Sequence, residues 1–247
     1  MISRVMQTSE IEILYEEGPC LVLNKPAGIL TQAPPGIDSL ELRVKQFLIE
    51  REDKPGKAYL GVPHRLDRPV SGALVVAKHV RAARRLSEQF EGRMVRKTYW
   101  AVVEGEVDVD QGKWTDHVRK VPNEARGEVV AAGEKDARRA VLSYQVRRRF
   151  EGKTWLEIVL ETGRYHQIRV QTSSHGYPVV GDALYGAATT FGDLSDDPRD
   201  RAIALHARDL AFRHPMTKDA VSVTAPLPAT WDAFPDVSPA KSDAEAG

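Results

Sequence analysis

The chain has 247 residues, 42% hydrophobic and 28% charged, the make-up of a soluble globular protein with one large domain or two small ones. Lys plus Arg and Asp plus Glu both total 35, so net charge gives no support to nucleic-acid binding, and only a local basic face would. No apolar run is long enough to cross a bilayer, the N-terminus has no apolar leader, and Cys20, the single cysteine, excludes an internal disulfide; a reducing cytoplasm is expected.

Residues 11–15 and 20–24 read as two short strands joined by the turn Glu16-Glu17-Gly18-Pro19. Cys20 falls in the second and reads as a small core residue rather than a nucleophile. Lys25-Pro26-Ala27-Gly28 then turns the chain, and Asp38 or Ser39 caps a helix with Leu40, Val44, Phe47 and Leu48 on one face. A polar loop leads to PHRLDRPVSGALVVAK at 63–78. Its charged part is a loop, because Pro69 removes a backbone donor and pushes Arg68 away from helix, while 73–77 is a buried strand. Residues 79–92 predict a helix with Val80, Ala83, Leu86, Ser87 and Phe90 inward and Arg81, Arg84 and Arg85 outward. Tyr99 to Val103 is a strand. Residues 105–137 read as hairpin and loop excursions, with no place for Trp114 or His117.

Residues 140–150 and 154–160 form an antiparallel pair around Glu151-Gly152-Lys153. A helix starts within 165–174 and Gly176 stops it. Residues 191–201 read as a surface loop, 203–212 and 220–225 as strands, and 228–234 as a closing helical turn. Strands outnumber helices without strict βαβ alternation. That predicts an α+β fold: a single catalytic domain over 11–235, with a mainly antiparallel mixed sheet flanked by helices. A flexible segment, 1–10, is expected before it and a disordered tail, 236–247, after it.

Polar residues that a fold does not need collect in three places: His64, Arg65, Asp67 and Arg68; Arg96-Lys97-Thr98-Tyr99; and Gly163-Arg164-Tyr165-His166-Gln167-Ile168-Arg169. Each lies at the end of a predicted strand, where loops on a rigid scaffold carry function. Each is basic. Together they predict a central positive cleft with Asp67 as the acid at its heart. On the HRLDR residues alone, a structural Arg–Asp salt bridge weighs as much as a functional site. Other chemistries fit less well. His64, Asp67, His166, His206 and His214 lack the usual metal-ligand spacings, and Arg65, Arg68 and Arg169 would repel a cation, so no metal is expected. Ser71 lacks a nucleophile-elbow context, and a glycosidase needs two carboxylates where the basic segments offer one.

Several long segments, in order, resemble the RluA-type pseudouridine synthases over most of residues 11–226. HRLDRPVSG (64–72) is similar to the family signature HRLDRxTSG, RKTYWAVVEG (96–105) to its K-x-Y-x-A segment, and ETGRYHQIRVQ (161–171) to its G-R-x-H-Q-[IL]-R-x-H motif. LNKPAGI (23–29), GDALYG (181–186) and LHARDLAFRHPMT (205–217) match further family segments. The resemblance implies an isomerase that breaks the glycosidic bond of a uridine, turns the base and joins it to the same sugar through carbon. Such a change is redox-neutral and implies no cofactor. The resemblance places Asp67 as the catalytic carboxylate, Tyr99 against the target base, and Arg169 as the arginine paired with Asp67. It leaves open whether Asp67 is a nucleophile at the anomeric carbon or a base at the adjacent sugar carbon.

Arg169 and Arg68 would hold the Asp67 carboxylate charged and aimed, and Arg65 would fill the space left when the base quits the stack. His64, Arg68, Lys97, Arg164, His166 and Gln167 are further candidate substrate-binding residues. The arginines of 79–92 and Arg147, Arg148 and Arg149 are candidate phosphate contacts. The implied partner is structured ribosomal or transfer RNA, since extruding a base costs least in a loop. No membrane partner is implied, and with no feature demanding an oligomer a monomer is expected. Pro69-Val70 and Gln171 depart from the family pattern and bear on the substrate. The short N-terminus leaves no room for the small RNA-binding module that precedes many family members. The alternative reading is an RNA-binding relative without catalysis, against which Asp67, Tyr99 and Arg169 stand together.

Overall fold

All seven residues of β3 (Ser71–Ala77) are buried, and the sheet is laid out from it. Successive side chains of a strand point to opposite faces, so burial of both needs an unbroken apolar run rather than an alternating one. On one face Leu74 and Val76 meet Leu21 and Leu23 of β2 (Cys20–Lys25) and Leu40, Val44 and Leu48 of α1 (Leu40–Arg51). On the other, Ala73, Val75 and Ala77 join Cys20 and Val22 against Ala82, Ala83 and Leu86 of α2 (Val80–Glu91). This computed structural model describes residues 11–53, 56, 58–193, 197 and 200–237; the expected flexible segment 1–10 and most of the expected tail lie outside them.

Both first helices begin where a side chain satisfies an orphan amide. Ser39 accepts from the Leu42 N–H at 3.2 Å, and the His79 imidazole accepts from the Ala82 N–H at 3.2 Å. The inner stripe of α2 differs from the sequence expectation: Val80 is 65% exposed, and Ala82 and Gln89 face inward instead. Gln89 is tolerated there because its amide both donates to the Arg213 carbonyl and accepts from the Arg213 N–H.

The remaining strands are β1 (Glu12–Glu17), β4 (Arg96–Glu104), β5 (Gln111–Lys120), β6 (Gly127–Val130), β7 (Arg138–Phe150), β8 (Lys153–Leu160), β9 (Leu205–Arg213) and β10 (Ala220–Thr224). Among the described residues they form one ten-stranded sheet, ordered β1-β2-β3-β9-β4-β8-β7-β5-β6, with β10 also on β9. Every pairing is antiparallel except β3 with β9, which join in parallel at Ser71–His206 and Gly72–Ala207. Only glycine fits that junction: Gly72 has φ +115°, and a Cβ there would lie 2.3 Å from the Ala207 carbonyl oxygen. Ser71 Oγ and His206 Nδ1, 2.8 Å apart, lock the same point from the side. The α+β fold and mixed, mostly antiparallel sheet match the sequence expectation. A third helix, α3 (Gln167–Ser174), packs Val170 against Val118 of β5 and Ala140 of β7.

Three local expectations are corrected. Residues 105–137 contain two regular strands, β5 and β6, and both Trp114 and His117 lie on β5. Phe191 is in the core rather than on a surface loop, stacked on Phe234 with ring centroids 5.3 Å apart. The first two residues of the expected tail are packed: Asp236 pairs with Arg148 at 2.9 Å and Val237 is buried.

Candidate active site

The loop that carries Asp67 is held by its main chain. Lys25, at the end of β2, is fully buried, and its ammonium donates to the carbonyls of Pro26, Asp67, Arg68 and Val70 at 2.8 to 3.2 Å. Burial draws its pKa down to about 7, with Asp67 pulling the other way, and the four carbonyl oxygens favour the ammonium form. Thr31 Oγ1 donates to the Leu66 carbonyl and accepts from the Leu66 N–H, and the Gly28 N–H donates to the Arg68 carbonyl at 2.8 Å. The segment LNKPAGI is thus a cradle for HRLDR, a relation that motif matching alone did not reveal.

Across from the loop, α3 presents Arg169. Its Nη1 reaches Asp67 Oδ2 at 3.5 Å, while Nε and Nη2 make a bidentate pair with Asp182 at 2.6 and 2.8 Å. The expected Asp67–Arg169 pairing is therefore present, 102 residues apart in sequence, but Asp182 is the tighter partner. Arg169 and Asp182 are nearly solvent-free, whereas the Asp67 side chain is 29% exposed. Tyr185 lies with its ring 4.9 Å from the Arg169 guanidinium carbon. Tyr99, on β4, is buried beside them; burial first, and Asp67 second, push its phenol pKa up, so it stays a neutral phenol.

Asp67, Tyr99, Arg169 and Asp182 line one cleft of about 1710 Å³ into which all three sequence-identified segments converge. Eight Lys or Arg side chains and four carboxylates line it, so a protein of zero net charge has a basic cleft. Asp67 is not its only acid, because Asp182 sits at its floor against Arg169.

Residues 19–174 match the RNA pseudouridylate synthase family. An RNA pseudouridine synthase of Synechocystis sp. is 34% identical over 231 residues, covering 92% of this chain and 69% of that protein. Ribosomal large subunit pseudouridine synthase D of Xanthomonas campestris is 37% identical over 234 residues, covering 90% and 67%. The chain belongs to the RluA-type RNA pseudouridine synthases. A solved human relative, RNA pseudouridylate synthase domain containing 4, shares the fold with a TM-score of 0.73 at 23% identity, covering 90% of both chains.

In this synthase the other sequence-identified residues divide into two groups. Arg65 is exposed at the cleft mouth, with no ion pair among the described residues. Lys97 reaches within 3.4 Å of where a Cβ on Gly163 would sit, and burial lowers its pKa. His166 opens α3 in a left-handed conformation (φ +50°), its Nδ1 2.8 Å from the Tyr185 hydroxyl and its Nε2 3.8 Å from Asp67 Oδ2. Three others hold the walls. His64 stacks on Phe90 and accepts from the Val75 N–H at 3.1 Å. Arg164 donates to the Arg139 carbonyl, and buried Gln167 bonds Thr162, Val141 and Gln171.

Arg68 departs from expectation. Its guanidinium binds the Gly28 carbonyl and Asp200 rather than steadying Asp67. Gln171, where the family motif has His, lies away from the cleft, donating to Asp116 at 2.6 Å. Arg147, Arg148 and Arg149 are each paired internally, with Glu157, Asp236 and Asp110. Of the α2 arginines, Arg84 pairs with Glu88 and Arg85 donates to the Pro215 carbonyl. Asp182 and Tyr185 were visible in sequence only as part of GDALYG, which carries no sign of its partner in α3.

Burial lowers the pKa of His64 to about 3, and of His166 and His206 to about 4. Each folded value lies below the ordinary 6.5, so between about pH 4 and 6.5 the unfolded chain binds protons that the folded chain does not. The synthase is expected to lose stability as pH falls from 6.5 towards 4, taking up about three protons on unfolding near pH 5.5 from these groups. Urea midpoints measured at pH 7, 6 and 5 check this; an unchanged midpoint would contradict it.

Proposed function

We propose that the chain isomerises a uridine in a loop of large-subunit ribosomal RNA, with residues 11–235 as the catalytic unit and Asp67 as the catalytic carboxylate. The observation that carries the reading is Asp67, Arg169 and Tyr99 facing one basic cleft, with one Asp67 oxygen free of protein donors among the described residues. Ribosomal RNA is favoured over transfer RNA because curated relatives at 35–37% identity are named as ribosomal large subunit synthases.

The uridine leaves its stack, a cost of about a few kcal/mol that a loop minimises. Its sugar meets Asp67 and its base meets the Tyr99 ring. The bond from N1 to the anomeric carbon breaks, the base turns, and its C5 bonds to the same carbon. The proton lost from C5 is balanced by the one gained at N1, so no oxidant or reductant enters. Arg169, clamped by Asp182, aims Asp67; Tyr99 supplies a stacking face and a neutral hydroxyl for proton traffic.

The test is to incubate the protein with large-subunit ribosomal RNA from cells lacking it and to map pseudouridines. Wild type should add one at a single position or a few, and Asp67→Asn none. Identical maps overturn the catalytic role of Asp67, and sites confined to transfer RNA overturn the ribosomal assignment. RNA affinity should also fall steeply and linearly with salt on a log–log plot, since the basic cleft releases counterions; a flat response contradicts it.

A further inference from the structure

Tyr165 is placed unlike any other aromatic residue of the cleft. It is 38% exposed, although it adjoins the buried centre. One face of its ring is stacked on His166, with centroids 3.9 Å apart and planes inclined by 15°. His166 is itself fixed by Tyr185 and by Arg169, whose Nη1 lies 3.3 Å from both ring nitrogens. The Tyr165 ring therefore rests on a rigid support built from the residues that also aim Asp67. Asp67, Arg169 and Arg65 all lie within electrostatic reach of its hydroxyl. The Lys120 ammonium also lies over the ring, 5.6 Å from its centroid. Lys120 ends β5, is exposed, and makes no ion pair among the described residues.

We infer that Tyr165 is a stacking platform for the unpaired base that flanks the target uridine, with Lys120 closing over it onto the backbone phosphate. This rests on the proposed RNA-modifying role and names how that site takes hold of the strand. The geometry fits a base. Stacked bases lie about 3.4 Å apart, so a base on Tyr165 needs its upper neighbour at roughly twice that height. The lysine stem is flexible enough to rise by the difference. An ammonium displaced from the ring meets the phosphate of the same nucleotide, exchanging a cation–π contact for an ion pair. Tyr99 and Tyr165 then hold successive bases, one turned into the site and one left at its mouth. A sequence-tolerant π-face here would demand an unpaired neighbour without dictating its identity.

The test uses the full chain carrying Asp67→Asn, so that no turnover intervenes, and a stem-loop RNA around the mapped uridine with 2-aminopurine at each flanking position in turn. One of the two probes should be quenched on binding. Adding Tyr165→Ala should abolish that quenching and weaken binding by about 5- to 150-fold, the range for losing one stacked base. Tyr165→Phe should restore both, because the ring and not the hydroxyl carries the contact. An abasic nucleotide at the quenched position should make the parent and Tyr165→Ala bind alike. Lys120→Ala should lower the salt slope by about one without abolishing quenching.

Unchanged affinity and quenching in Tyr165→Ala overturn the platform, as does a Phe variant as weak as Ala. An undiminished Ala penalty on the abasic RNA does the same. If the mapped pseudouridine forms equally with Asp67→Asn, the catalytic role of Asp67 fails alone, since the fluorescence comparison still decides the platform.

Discussion

Asp67→Ala is expected to lower pseudouridine formation by about 10³-fold or more, the order for losing a positioned catalytic group, while leaving the fold intact. The separation follows from the geometry. Asp67 is only half-buried, and its one side-chain hydrogen bond among the described residues, from Arg169, is long, at 3.5 Å. Removing the carboxylate leaves Arg169 fully paired with Asp182, so no buried charge is orphaned. The loop around it is fixed by carbonyl oxygens that the substitution does not touch. Single-turnover rates and urea midpoints measured on the same preparation give the check. A variant that unfolds early would mean that the carboxylate is a structural pin, and one with near wild-type turnover would mean that the chemistry lies elsewhere.

Asp182→Ala is expected to do the opposite first: destabilise the protein by about 3–5 kcal/mol, the usual cost of leaving one partner of a buried ion pair uncompensated. Arg169 and Asp182 are 5% and 2% exposed, and the guanidinium makes two contacts to Asp182 and one, longer, to Asp67. Without Asp182, the guanidinium turns to Asp67 alone or draws in water, and activity falls with the geometry. Replacing both residues, as Arg169→Met with Asp182→Leu, should recover much of the stability, because apolar packing often substitutes for a buried pair. Turnover should not recover. Urea denaturation of the single and double variants reads this. Equal stability of Asp182→Ala and wild type would show that the pair does not anchor the floor of the cleft.

Which parts of this arrangement can be read from a sequence depends on where the partner lies. β3 and α1 are legible because an unbroken apolar run and a 3.6-residue period each have one physical solution. β5 was missed because its residues alternate exposed and half-buried, with Val118 alone fully buried, leaving no apolar signal above a polar loop. Asp67 and Arg169 could be paired through family resemblance. The stronger Arg169–Asp182 bond could not, since nothing in GDALYG states which of the cleft's eight cations it meets. Val80 fails for a more local reason: His79 caps α2, and the two small residues Ala82 and Ala83 let the helix approach β3 closely, turning Val80 outward. Phe191 lies in a polar stretch, and only the aromatic cluster with Trp231 and Phe234 shows why it is inside.

The Lys25 ammonium holds the HRLDR loop through the carbonyls of residues 67, 68 and 70, not through their side chains. Every amino acid presents that same oxygen. The Pro69-Val70 departure therefore leaves these anchors in place, since Val70 still offers its carbonyl to Lys25 while its side chain packs in the core. A cleft built this way can be altered at its exposed rim while the main-chain clamp that places Asp67 is inherited unchanged.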